Sequence, residues 1–243
     1  MEIGELQKLS FSDFPGKISC TVFLSGCNFR CPWCYSAEFV LPEKIKNQEK
    51  ISQEYFFDFL KEKKGFLEGV CISGGEPTIH PELPIFIKKI KKLGFLVKLD
   101  TNGFNPKILQ DLIDKKLIDY VALDIKAPKE KYLKVLGILN QGLRGNFFRE
   151  KIFSNIEKSI SILKEGKVDY EFRTTLIPKT LKKKDILEIV RWLKGGKRYT
   201  LQNFRAGRAI KPRFKKIKPY SDEYLLEIQK IILPFFEFSR IKP

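Results

Sequence analysis

This chain of 243 residues has only 16 glycines and 5 cysteines, far too few for a collagen-like rod or a disulfide-stapled scaffold. No uninterrupted apolar run approaches the roughly 18 residues of a membrane span. The opening Met1-Glu2-Ile3-Gly4-Glu5 is acidic and has no apolar core, so no secretory signal is expected. Low-complexity tracts and linkers are missing as well. Negative charge is in deficit, because 29 Asp+Glu against 46 Lys+Arg leave a formal charge of +17. What is present is 43% hydrophobic and 13% aromatic, with 21 Phe, and this excludes a disordered chain. The length supports a sizeable core, expected as a single domain over 1–243 with its core at about 16–204. The expected compartment is the cytoplasm, where thiols stay reduced.

Hydrophobic periodicity alternates short strands with amphipathic helices. Strands are expected at 18–24, 70–73, 96–100, 120–124, 168–174 and 199–203. Between them, Ser52 caps a helix with Tyr55, Phe56, Phe59 and Leu60 on its apolar face. Phe86, Ile87, Ile90 and Leu93 face inward on a second helix, with Lys88, Lys89, Lys91 and Lys92 outward. Asn105-Pro106 starts a third, with Ile108, Leu109, Leu112 and Ile113 as its stripe. Residues 126–148, with Gly137, Gly142 and Gly145, read as a loop with one short helix. Further helices carry Ile152, Ile156, Ile160 and Leu163, then Ile186, Ile189, Val190 and Leu193, and the last spans 224–232. Six strands alternating with helices mean an α/β fold with a parallel sheet, open or curved into an incomplete barrel. In either form, function gathers at the carboxyl ends of the strands.

The odd cysteine count points to such an end. Cys27, Cys31 and Cys34 follow the first strand within eight residues, whereas Cys20 and Cys71 lie inside strands and read as core thiols. Three soft ligands on one loop select an iron–sulfur cluster or zinc. A structural zinc wants a fourth ligand, and Cys20, Cys71 and His80 (the sole histidine) are the candidates. Three ligands on a four-iron cluster leave one iron open to a small molecule. The spacing favours the cluster over zinc.

The run Cys27-Asn28-Phe29-Arg30-Cys31-Pro32-Trp33-Cys34 resembles the signature Cys-x-x-x-Cys-x-aromatic-Cys of the radical S-adenosylmethionine (SAM) superfamily. That resemblance implies a [4Fe–4S] cluster on Cys27, Cys31 and Cys34, whose open iron binds SAM. It implies reductive cleavage of SAM to a 5′-deoxyadenosyl radical that abstracts hydrogen, and an incomplete (β/α)6 barrel. Ser73-Gly74-Gly75-Glu76-Pro77 resembles the superfamily motif that holds the methionine amino group. Two glycines allow close backbone approach and Glu76 accepts from an ammonium. The aromatic at the place of Trp33 lies beside the adenine in that family.

Asp100 and Asp124 end neighbouring expected strands; each alone reads as a cap or turn former, and as a close pair they suggest a shared proton or a bound cation. Lys126 lies two residues beyond Asp124, on the same side of an extended chain, where it can partner a carboxylate. Asp100-Thr101-Asn102-Gly103 and Leu123-Asp124-Ile125-Lys126 resemble segments of glycyl-radical-enzyme activases. The resemblance implies a monovalent-cation site at Asp100, Thr101 and Asp124 beside the SAM carboxylate, with Lys126 contacting SAM. Phe11-Ser12-Asp13-Phe14-Pro15-Gly16-Lys17, the 169–175 segment and Leu201-Gln202-Asn203-Phe204 resemble the activating proteins of anaerobic ribonucleoside-triphosphate reductase. That implies this reductase as partner and reduced flavodoxin or ferredoxin as electron donor. Many activases place His-Asn directly after the third cysteine, where this chain has Tyr35-Ser36. Arg173 suits either the SAM carboxylate or a structural ion pair, and Gln202 or Asn203 the ribose.

From Arg205 to Lys218 there are seven Lys/Arg and no Asp or Glu. Such a run is usually a solvated face; otherwise it docks an acidic protein or contacts phosphates. Nucleic-acid binding would call for interleaved aromatics, and only Phe204 and Phe214 qualify. Two other readings remain at this point. One is a radical SAM enzyme acting on a small molecule, such as a deazapurine precursor; the other is a zinc-bearing RNA-binding protein.

Overall fold

The computed structural model of the protein describes residues 1–137 and 146–242. Its strands form an eight-stranded sheet in chain order, β1 to β8. All six expected strands are present as β2 to β7, and each end of the sheet carries one more than the sequence announced. The chain divides into two compact units, the first made of Met1–Asn28, Glu38–Ala122 and Lys167–Asp169. The second comprises Phe29–Ala37, Leu123–Gly166 and Tyr170–Pro243.

The first unit contains β1 (Ile3–Ser10), β2 (Ser19–Leu24), β3 (Gly69–Gly74) and β4 (Leu96–Thr101). β1 runs antiparallel to β2, whereas β2, β3 and β4 are parallel, with Ser19 opposite Gly69 and Gly69 opposite Leu96. β2 and β3 are buried over nearly their whole length, which is why they read as continuous apolar runs. β1 escaped detection because its apolar Ile3, Leu6 and Leu9 are spaced by three and its Glu5, Gln7 and Lys8 are exposed, so no strand alternation shows. Cys20 and Cys71 are fully buried in β2 and β3, and burial pushes the Cys20 thiol up to about 12. Cys20 thus lies in the core, as its place inside a strand suggested.

Two short helices, α1 (Ala37–Val40) and α2 (Pro42–Lys46), follow the cysteine loop. In α3 (Gln53–Glu62) the Ser52 hydroxyl caps the Tyr55 amide, as expected, and Phe56, Phe59 and Leu60 are buried. Tyr55 departs from expectation, because it lies at the edge of the stripe and is half exposed. In α4 (Leu83–Lys92), Leu83, Phe86, Ile87 and Ile90 face the core, and in α5 (Pro106–Asp114) Leu109, Leu112 and Ile113 do. β5 (Tyr120–Asp124) crosses the division between the units.

In the second unit, the expected excursion contains the helix α6 (Lys129–Val135), while its Gly142 and Gly145 lie outside the described residues. α7 (Asn146–Lys164) buries Ile152, Ile156, Ile160 and Leu163. β6 (Asp169–Leu176), α8 (Lys183–Trp192) and β7 (Arg198–Asn203) follow, then α9 (Pro212–Lys215), α10 (Asp222–Ile232) and β8 (Phe238–Lys242). β6, β7 and β8 are parallel. β8 hid in the sequence because Ser239, Arg240 and Lys242 leave it only Phe238 and Ile241 as apolar residues. No helix among the described residues is long and apolar enough to cross a membrane.

A buried polar ladder ties these last strands together. Glu171 accepts from the Thr200 hydroxyl at 2.5 Å and from Arg240 Nη2 at 2.9 Å, and Arg240 Nε donates to Thr200 Oγ1 at 3.0 Å. Glu171 is buried, so losing the arginine leaves a carboxylate short of partners. Arg240→Ala should lower the unfolding free energy by about 1–3 kcal/mol in urea titrations. An unchanged midpoint would show that the ladder contributes nothing.

Candidate active site

Glu76 follows the end of β3 and is only 1% exposed, so its carboxylate must find its partners within the protein. Its Oε1 accepts from the Thr78 amide at 3.1 Å, the Thr78 hydroxyl at 2.5 Å and the Thr101 hydroxyl at 2.7 Å. Oε2 accepts from the Asn102 amide at 2.7 Å. Burial pushes this carboxyl up, and the hydrogen bonds from Thr101, Thr78 and Asn102 only partly offset that. Glu76 thus joins the end of β3 to the end of β4 and caps the 3-10 turn Pro77–Ile79.

The two glycines before it serve the backbone. Gly74 has φ +115°, and a Cβ there would lie 2.4 Å from the main-chain N and O of Leu24. At Gly75 a Cβ would lie 1.9 Å from the carbonyl oxygen of Gly26, whose oxygen accepts from the Glu76 amide at 2.8 Å. The strand exit that delivers Cys27 therefore rests directly on the Gly74-Gly75 turn. Asp100 is ion-paired with buried Lys98 and accepts from the Ser73 hydroxyl at 3.1 Å. The Lys98 Nζ also lies 3.7 Å from the Cys71 sulfur. Sequence reasoning overlooked Lys98, although a lysine inside the apolar run Leu96-Val97-Lys98-Leu99 was a signal.

Beside Cys27, Asn28 Oδ1 accepts from Asn102 Nδ2 at 2.8 Å. Asn28 Nδ2 is buried without a hydrogen-bond partner. It too was missed, since an Asn between ligand positions carries no periodic or motif signal.

In the second unit, Cys31 is buried, Cys34 half-buried, and the Cys34 amide donates to the Cys31 carbonyl at 3.0 Å. The Arg30 amide donates to the Leu136 carbonyl at 3.0 Å. Gly137, at φ +69°, comes so close that a Cβ would lie 2.0 Å from the Arg30 oxygen. Further backbone bonds run from Lys211 N to the Pro32 carbonyl at 2.9 Å and from Ile210 N to the Cys34 carbonyl at 3.1 Å. Trp33 is 6% exposed and packs against Phe214 with ring centroids 6.3 Å apart.

At the end of β5, Asp124 accepts from Arg173 Nε at 2.8 Å and from Lys126 Nζ at 2.8 Å. Burial alone would raise its carboxyl, but the two cations outweigh this and hold it below its ordinary range. Burial would lower the Lys126 ammonium, but Asp124 first and then Cys31 push it up. The hydroxyl of buried Tyr132 accepts from the Lys126 amide at 3.3 Å. So Arg173 makes the structural ion pair that was one of its two expected roles. Gln202 is half-buried on β7, and Asn203 is committed locally, donating to the Tyr220 carbonyl and capping the Phe204 amide, both at 2.9 Å.

No group of three or more His, Cys, Asp or Glu among the described residues is gathered to hold a single metal ion, so Cys20, Cys71 and His80 complete no closed zinc site. A [4Fe–4S] cluster with one open iron asks for something else, one thiolate on each of three irons and hydrogen-bond donors to its sulfurs. Three thiols from one loop, with the buried amide of Asn28 adjoining Cys27, fit that donor set.

Two outcomes follow from this geometry. Glu76→Gln turns an amide donor toward hydroxyl and amide donors, and should cost roughly 2–4 kcal/mol in chemical denaturation. An isoenergetic variant would show that the network does not depend on the charge. Asp124 is depressed below 3.8 and Lys126 raised above 10.5, so their mutual stabilisation is present between these values. It is lost as pH falls through the lowered Asp124 value, or rises through the raised Lys126 value. The stability deficit of Asp124→Asn should therefore be largest near neutrality and shrink below about pH 4. A deficit constant with pH would refute the assignment.

Residues 21–193 match the model of the Radical SAM superfamily. A protein of Methanocaldococcus jannaschii carried under the name of a glycyl-radical enzyme activating enzyme is 36% identical over 237 residues, 97% of this chain and 93% of its own. The pyruvate formate-lyase-activating enzyme of Clostridium pasteurianum is 31% identical over 147 residues, covering 59% of this chain and 59% of its own. Among solved structures, Streptococcus suis SuiB superposes with a TM-score of 0.65 at 14% identity, over 92% of this chain. The alignment covers 48% of SuiB, so the chain spans about half that protein's length, and the likeness concerns the fold alone. It agrees with the expected α/β partial barrel and its largely parallel sheet. The chain belongs to the radical SAM superfamily, in its branch of glycyl-radical enzyme activating enzymes.

Proposed function

We propose that this protein cleaves SAM reductively and uses the resulting radical to install a glycyl radical on an anaerobic ribonucleoside-triphosphate reductase. The observation that carries the reading is the loop of Cys27, Cys31 and Cys34, three thiols within eight residues on a backbone fixed by hydrogen bonds. The cluster they would hold supplies the electron that splits SAM. Around it, each residue has a role consistent with its partners. Gly74 and Gly75 shape the turn under the cysteine loop, and Glu76 holds the ends of β3 and β4 and meets the methionine ammonium. Trp33, braced by Phe214, lies beside the adenine, and Gln202 reaches the ribose.

Asp124 sits between two cations, so the trio with Lys126 and Arg173 has a formal charge of +1. That surplus suits the SAM carboxylate, which Lys126 and Arg173 can neutralise without abandoning Asp124. Asp100 is already ion-paired with Lys98, and Asp124 with Lys126 and Arg173, so the expected monovalent cation would have to displace one of these partners. Identity to activases is the support for the glycyl-radical partner; the segments at 11–17 and 201–204 are the support for the reductase.

Anaerobic reconstitution should load about four irons per chain and yield 5′-deoxyadenosine from SAM with dithionite. Co-incubation with the reductase should give a glycyl-radical doublet in its EPR spectrum. Cys31→Ala should lose the iron and the deoxyadenosine while keeping the wild-type circular dichroism. Zinc in place of iron, or no SAM cleavage after full reconstitution, would overturn the proposal. A doublet on a different glycyl-radical enzyme, with none on the reductase, would overturn the choice of partner alone.

A further inference from the structure

The basic run at 205–218, which includes the short helix α9, is tied to the cysteine loop by backbone hydrogen bonds. Its Lys211 and Ile210 amides donate to the carbonyls of Pro32 and Cys34, the residues just after Cys31 and at the third cysteine. Its own ends are tied where Gly207 N donates to the Lys215 carbonyl at 3.1 Å. Phe214 is buried against Trp33, and the Arg213 guanidinium lies 5.1 Å from the centre of the Phe214 ring. Meanwhile Arg205, Arg208, Lys211, Arg213, Lys215, Lys216 and Lys218 are all exposed. Among the described residues none of these seven has a carboxylate partner.

We propose that this loop is the docking surface for an acidic one-electron carrier protein. The inference rests on the proposed function and names the partner that supplies its electron. The carrier would be oxidised by one electron, which would reduce the cluster that Cys27, Cys31 and Cys34 would hold; no bond and no proton would move in this step. Such an encounter needs only a small, charge-steered interface close to the acceptor. A cationic loop bonded through its backbone to two residues of the cysteine loop meets that need.

The test uses the reconstituted protein and its triple variant Arg213→Gln, Lys215→Gln, Lys216→Gln, with a fluorescently labelled flavodoxin as probe. Fluorescence anisotropy should show flavodoxin binding that weakens with salt, and a loss of affinity of about tenfold in the variant with a shallower salt slope. Flavodoxin-driven SAM cleavage should fall in step, while dithionite-driven cleavage stays at the wild-type rate. Equal affinity of both proteins for flavodoxin, or no binding by either, would overturn the proposal. So would an equal loss with dithionite, a loss confined to binding of the glycyl-radical partner, or tighter salt-steep binding of a single-stranded RNA than of flavodoxin. Anisotropy reads docking whether or not SAM is cleaved, so failure of the surface and failure of the proposed activity are told apart.

Discussion

The carboxylate of Glu76 is the constraint on which the first unit's strand ends depend. An ionised group removed from water costs several kcal/mol unless donors surround it. Here four donors from Thr78, Thr101 and Asn102 do so. Each is a charge-assisted bond contributing roughly 1.5–3 kcal/mol, so the network can offset the burial only if nearly every donor is in place. That requirement fixes the exit from β3 relative to the exit from β4. It also gives a structural role to Thr101, expected at a cation site, and to Asn102, for which the sequence suggested none. A carboxylate already held by the fold is a preorganised acceptor, because its orientation is settled before any ammonium arrives.

The cysteine loop is held by backbone as firmly as Glu76 is held by side chains. In the first unit, the carbonyl of Gly26 approaches Gly75 closely enough to exclude any Cβ there. In the second, Arg30 packs on Gly137 in the same manner, and Pro32 and Cys34 accept from the loop at 210–211. Three thiols on a slack loop would lose entropy on binding a cluster and would be free to pair or oxidise. Main-chain anchoring avoids both without placing a side chain where a ligand must go.

Much of this was legible in the sequence. The six central strands were readable because buried parallel strands are short apolar runs bounded by glycine and charge, and β5 falls at residues 120–124 as expected. β1 and β8 were not, because each belongs to a sheet edge where polar side chains break the alternation. Cys27, Cys31, Cys34, Gly74, Gly75 and Glu76 stood out because their chemistry is local in the sequence. Lys98, Asn28, Gly137 and Tyr132 did not, because their significance lies in partners distant along the chain. The role of glycine changed most: Gly74 and Gly75 suggested room for a ligand, and the structure fills that room with the backbone of Leu24 and Gly26.

Net charge, by itself, says little about function, since a formal +17 can be spread over any solvated face. The lysines of α4 illustrate the ordinary case: Lys88, Lys89 and Lys92 are exposed along the outer face of an amphipathic helix, and Lys91 pairs with Asp119 at 2.7 Å. Such charges keep a protein soluble and are interchangeable with one another. The loop at 205–218 differs in three physical respects. It contains no acid to neutralise it, it is tied through backbone bonds to the cysteine loop, and it buries an aromatic ring against Trp33. A cationic run that served only solubility would have no reason to meet all three conditions at once, because solubility requires charge but not fixed position. Fixed position matters when charge must orient a partner toward the thiols of Cys31 and Cys34, and that sets this segment apart from the interchangeable lysines of α4.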